Sequence, residues 1–130
     1  MPKHFLSLVA GDRCALTIER TGQLLASDAE IARDSASRKR GLLGRHSLAP
    51  GAALVIAPCQ GVHTFGMQFA IDIVAVDREG RVLKSRRRVT PRRIALAWTA
   101  FAFIELPAGA LDDVALLKGD RIVAMTKEAA

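Results

Sequence analysis

The densest set of reactive side chains in the chain is Cys59-Gln60-Gly61-Val62-His63-Thr64-Phe65-Gly66-Met67, with Asp72 shortly after it. A thiol, an imidazole and a carboxylate are the parts of an activated nucleophile: the imidazole takes the thiol proton and the carboxylate orients the imidazole. The spacing matches no nucleophile signature. The plainer reading has His63 bonded to a backbone carbonyl and Cys59 packed as a small hydrophobe. Gly61 and Gly66 bracket the histidine, which lets backbone approach a ligand closely or turn sharply.

Two carboxylates pose a related question. Asp72 lies in the β-branched run Ile71-Asp72-Ile73-Val74-Ala75-Val76, and Glu105 in Phe101-Ala102-Phe103-Ile104-Glu105-Leu106. A carboxylate among core residues is costly unless it is paired or hydrogen-bonded. Arg40, Arg45 and His63 are available as partners. One outcome is a structural ion pair joining helix to sheet. The other is a polar pocket lined by His63, Met67, Asp72, Glu105 and Arg45, whose charges perturb one another.

The net charge of +6 is unevenly placed. Between Arg78 and Arg93 stand seven arginines and Lys84 against Glu79 alone. The basic patch expected from this run comprises Arg81, Lys84, Arg86, Arg87, Arg88, Arg92 and Arg93. Such an excess attracts phosphates or an acidic protein, and it also serves as a solvated face or a guard on a sheet edge. The run holds no aromatic to stack a base, and Trp98 is the nearest, so sequence-specific reading of nucleic acid is disfavoured.

His4, His46 and His63 have no partner at ligand spacing, so no metal is expected. Neither a phosphate-binding Gly-x-x-x-x-Gly-Lys-Ser/Thr nor a Gly-x-Gly-x-x-Gly is present, and no cofactor is expected. Cys14 and Cys59 have no Cys-x-x-Cys spacing, which reads as two free thiols in a reducing cytoplasm. No apolar stretch suits a signal peptide or a membrane span. At 130 residues, half hydrophobic and a quarter charged, the chain is expected to fold as a single domain over residues 1–130.

The elements that must position these side chains are mainly strands. Cys14 to Glu19 and Gln23 to about Arg33 flank Thr21-Gly22 as a hairpin. Ser27-x-x-Glu30 resembles a capping box for a helix from Asp28 to Arg40, whereas Asp34 offers a later cap and a helix from Ser35, with Gly41 or Gly44 as the stop. Ala52 to Ala57 reads as a buried strand ended by Pro58. Ile71 to Val76 and Arg81 to Lys84 form a hairpin around Asp77-Arg78-Glu79-Gly80. Ala100 to Leu106 and Arg121 to Met125 are further strands, with a helical turn within Leu111 to Leu117. Short strands at this spacing predict a β-sandwich or a partly closed barrel.

Arg40-Gly41-Leu42-Leu43-Gly44-Arg45, His63-Thr64-Phe65-Gly66-Met67, Ile71-Asp72-Ile73-Val74-Ala75-Val76-Asp77, Ile104-Glu105-Leu106-Pro107-Ala108-Gly109 and Gly119-Asp120, in this order and spacing, resemble the bacterial family known as domain of unknown function 192. The resemblance runs from about Ala29 to Val123 and lies with its His-Thr-Phe-Gly-Met branch. The family's usual Arg-Gly-Leu-Met is Arg-Gly-Leu-Leu here, a volume-conserving change. The resemblance implies a mainly β domain with one short helix at about 35–43, beginning after Asp34. It implies no activity and carries no catalytic residue across.

The leading functional expectation is a non-catalytic binding or accessory module taking a small-molecule ligand in the polar pocket. The alternatives are an enzyme using His63 and Asp72 as an acid/base pair on a small polar substrate, and docking of nucleic acid or an acidic protein on the arginine-rich hairpin.

Overall fold

The computed structural model describes residues 4–127. Nine strands form: β1 (Arg13–Ile18), β2 (Leu24–Ala32), β3 (Ala52–Ile56), β4 (Gly61–His63), β5 (Ile71–Val76), β6 (Val82–Val89), β7 (Ile94–Leu96), β8 (Ala102–Pro107) and β9 (Ile122–Thr126). A helix, α1 (Ser35–Arg40), lies between β2 and β3, and a 3₁₀ turn spans Ala110–Asp113.

Seven strands make one sheet in the order β6-β5-β8-β3-β2-β1-β9, and β4 with β7 makes a second, two-stranded sheet. The large sheet curls until its edges meet. Arg81 bridges Arg121, Val82 N–H donates to the Asp120 carbonyl at 2.8 Å, and Ile122 N–H donates to that of Gly80 at 2.8 Å. The fold is therefore mainly β and, of the two architectures expected, the partly closed barrel.

The β2–β3 pair is parallel, while the other pairs of the large sheet are antiparallel. A parallel pair needs a crossover that leaves the sheet and returns to the same end. Residues 33–51, which include α1, make that crossover. Alternation along the strands then divides the apolar residues into two cores. Leu16, Ile18, Val55, Val74, Ile104 and Ile122 fill the inside of the curl. Leu54, Ile56, Ile71, Ile73, Phe103 and Met67 pack on its outer face, together with Ala95 of the small sheet and Ala97 just after it.

Asp34 caps α1, its carboxylate accepting from Ser37 N–H at 2.7 Å. Residues 27–32 belong to β2, so the later of the two helix starts is the observed one. The helix is shorter than the expected 35–43. Gly41, at φ +49°, ends it with its N–H on the Ser37 carbonyl, and 41–44 are turns. The turn expected within 111–117 is confined to Ala110–Asp113, and β6 continues five residues past Lys84. Strands β4 and β7 are additional to the expected elements.

Candidate functional site

A cavity of about 370 Å³ opens on the outer face of the large sheet, between α1 with its following turn, the β4 strand, and β8. Three distant segments meet there. Arg40 to Leu43 come from the crossover, His63 and Met67 from the β4 loop, and Glu105 from β8. Packing fixes their approach: an added side chain at Gly66 would begin 3.2 Å from Leu43 Cδ2, and His46 Nδ1 lies 2.7 Å from Gln68 Oε1.

Glu105 forms part of the cavity lining and is 3% exposed. Pairing aligns Glu30, Leu54, Glu105 and Ile73 across β2, β3, β8 and β5, so these residues share a face. Among the described residues, no donor is hydrogen-bonded to the Glu105 carboxyl. No buried side-chain oxygen is both sealed and unpartnered, so the group reaches the cavity's open space. Burial pushes its pKa up to about 7, against a smaller opposing pull from the Arg45 charge. Gly41 lies beside it, since a Cβ there would be 3.8 Å from Glu105 Oε1.

Arg45 does not line this cavity. Its Nη2 donates to Glu30 Oε2 at 2.6 Å, and it borders an adjoining cavity of about 510 Å³ that shares Arg40, Gly41 and Leu43 with the first. The lining of the first cavity also includes Arg38, Lys39 and Arg40, none of which has an ion-pair partner among the described residues. Of these, the sequence singled out only Arg40. The Arg-Lys-Arg ending of α1 was the available signal, because basic residues gather in a helix's last turn.

His63 accepts at Nδ1 from Phe65 N–H at 3.2 Å, which leaves Nε2 as the ring's donor. Cys59, also at the cavity, donates its thiol to the Gly61 carbonyl at 3.0 Å. Burial is the main cause raising its pKa, which disfavours the thiolate.

Asp72 lies elsewhere. It pairs with Leu106, one register position from Glu105, and so points to the inside of the curl. Its Oδ1 accepts from Arg88 N–H at 2.8 Å, and its Oδ2 from Gly109 and Leu111 N–H at 3.2 and 2.9 Å. The expected partnership with an arginine side chain is thus replaced by three backbone donors. The Cys59–His63–Asp72 relay does not assemble. Of the five expected pocket residues, His63, Met67 and Glu105 come together, Arg45 stands next door, and Asp72 is on the opposite face.

The arginine-rich run also divides between the two sides of β6, with a bulge at 87–88 interrupting the alternation. Lys84 Nζ and Arg86 Nη1 donate to the Leu96 and Ile94 carbonyls at 2.6 and 2.9 Å, closing the free edge of β7. Arg87 and Arg88 pair with Asp112 on the other side of β6. Arg81 lies 3.9 Å from Glu79. Arg92 and Arg93 are exposed and without a carboxylate partner among the described residues.

The class these observations define is a mainly β fold whose curled sheet carries a carboxylate-lined cavity beneath a crossover helix, and fold alone assigns it no chemistry. The family model of domain of unknown function 192, described as "Uncharacterized ACR", matches residues 16–124, and the chain belongs to this family. Three of the five segments that carried the resemblance contribute to the cavity, through Arg40 to Leu43, His63 with Met67, and Glu105, while Ile71 to Asp77 and Gly119-Asp120 lie outside it. The fold is shared with a proposed transcription regulator from Sinorhizobium meliloti (TM-score 0.75, 18% identity, 95% of this chain and 97% of that one). It is shared as well with a protein of unknown function from Novosphingobium aromaticivorans (TM-score 0.72, 17% identity, 94% and 99%). No curated protein matches. No helix among the described residues is long and apolar enough to cross a membrane.

Proposed function

We propose that the chain is a small-molecule binding module whose ligand enters the cavity over Glu105. The observation that carries this reading is the buried Glu105 carboxyl without a hydrogen-bond partner in the protein. A carboxyl at the wall of an open cavity, bonded to no protein donor, is free to take a hydrogen bond from a ligand that displaces solvent there. Three cations in the lining, Arg38, Lys39 and Arg40, favour an anionic group on the same ligand. The ligand class that satisfies both is a small acid bearing an amine or hydroxyl donor. Cys59 and Asp72, occupied with backbone partners, leave catalysis without a nucleophile or a relay. Two free thiols fit residence in a reducing cytoplasm.

A thermal-shift screen with small amino acids, hydroxy acids, simple carboxylates and amines tests it, because a ligand held by the native state raises its melting temperature. The expected result is stabilisation by bifunctional acids that is lost in Glu105→Gln. No shift with any compound, or an equal shift in the variant, overturns the reading.

A further inference from the structure

We infer that the outer face of the β4–β7 sheet is a docking surface for an acidic segment of another protein that also carries apolar side chains. The inference concerns a different face from the cavity and rests chiefly on residues outside it, with Gly61 and His63 bordering both. Residues 94–98 alternate strictly: Ala95 and Ala97 are buried against the large sheet, while Ile94, Leu96 and Trp98 face outward at 58%, 43% and 71% exposure. A strand with one face packed and one face in water ordinarily places polar residues outside. Here the outer positions are all large and apolar.

Neighbours extend the patch. Leu96 lies over Gly61, where a Cβ would meet its Cδ2 at 2.6 Å, and His63, the partner of Ile94, has its ring centroid 5.8 Å from that of Phe65. Phe65 is itself 48% exposed. Single exposed apolar residues are ordinary, but a contiguous group marks an interaction site. From Ile94 to Leu96 the strand spans about 7 Å, and Trp98 in the turn that follows carries the apolar face further, enough for an extended segment of a few residues.

The charge around the patch selects the partner. Arg92 and Arg93 precede Ile94, and Lys84 and Arg86 reach the edge of β7. None of the four has a carboxylate partner among the described residues, whereas Arg13, Arg20, Arg45, Arg87, Arg88 and Arg121 are all ion-paired. A second copy of the chain would set these cations against their own kind, because a two-fold interface pairs a patch with itself. A nucleic-acid strand would need a continuous cationic track and stacking platforms. The track is broken where Arg87 and Arg88 turn to Asp112, and the centre of the patch is aliphatic. Acidic residues flanking apolar ones complement both features, with Trp98 and the arginines as the side chains that most often anchor interfaces.

Trp98 is the chain's single tryptophan, so its emission reads the surface directly. The full chain is titrated with a tryptophan-free synthetic peptide of alternating Glu and Leu. The expected result is a blue shift of Trp98 emission that saturates, with affinity falling at least about tenfold from low to high salt. The shift should disappear in Ile94→Ser/Leu96→Ser and in Arg92→Glu/Arg93→Glu, whose folding is checked by circular dichroism. A matched Gln-Leu peptide should bind far more weakly. The proposal is overturned by no shift with the Glu-Leu peptide, by an equal response to the Gln-Leu peptide or in the variants, or by tighter binding of a single-stranded oligonucleotide. A blue shift that grows with protein concentration alone would assign the surface to a second copy and overturn it as well.

Discussion

Asp72 and Glu105 are near neighbours on adjacent strands, each set in an apolar run and each almost fully buried, yet they meet opposite surroundings. Asp72 points inside the curl, where the β6 bulge at Arg88 and the turn after β8 deliver three N–H groups to its two oxygens. Glu105 points outside, beside the end of α1, where the N–H of neighbouring Gly41 is already used by the Ser37 carbonyl. Burial alone therefore does not separate a structural carboxylate from a functional one. What separates them is whether the protein itself supplies the partner.

The largest effect that would break this comparison is expected at Asp72. Asp72→Ala leaves three backbone donors without an acceptor, and with each such loss costing about 1–3 kcal/mol, a loss of about 4 kcal/mol is expected. Asp72→Asn keeps one acceptor oxygen and should lose roughly half as much. Urea unfolding midpoints measure both. A cost below about 1 kcal/mol for Asp72→Ala would remove the structural role assigned to the site.

Glu105 should behave in the opposite sense, and pH exposes it. Its pKa is about 7 in the folded chain against an ordinary 4.5. Between these values the folded chain holds a proton that the unfolded chain has released, so stability falls as pH rises through the window and levels off above it. The full difference is about 3 kcal/mol, present above pH 7 and absent well below 4.5. Glu105→Gln should remove this decline, so the variant gains on the parent as pH rises. Stability measured from pH 4 to 8 on both proteins isolates the effect. Parallel curves would show that Glu105 is already satisfied, and the contrast with Asp72 would fail.

Both carboxylates were legible in the sequence as buried groups in need of partners, because each interrupts an apolar run. Their separation was not. Side chains alternate along a strand, so face depends on register, and a shift of one residue moves the whole set to the other side. Only the pairing of Asp72 with Leu106, and of Ile73 with Glu105, puts the two apart. The helix stop at Gly41 could be read from Arg-Gly-Leu-Leu-Gly, since a positive φ favours glycine. β7 escaped notice because Ile94-Ala95-Leu96 is three residues long and flanked by arginines and Trp98. The arginine run concealed β6 beyond Lys84 in the same way: its basic residues turn to one side of the strand or the other across a bulge at 87–88, a pattern visible only once Asp112 and the β7 carbonyls are in place.

The smallest expected effect sharpens what supports Asp72. Arg88 lies at φ +48° in the bulge, its N–H on Asp72 and its guanidinium on Asp112. If the side-chain pair held the bulge, Asp112→Asn would cost nearly as much as Asp72→Ala. The Arg88 and Asp112 side chains are 59% and 34% exposed, however, and ion pairs so placed contribute between nothing and about 1 kcal/mol. Asp112→Asn should therefore shift the unfolding midpoint by less than a quarter of the Asp72→Ala shift, and the difference should shrink further in high salt. That ordering would place the support of Asp72 in the backbone donors, leaving the Arg87 and Arg88 side chains as exposed partners of Asp112 that the fold can spare.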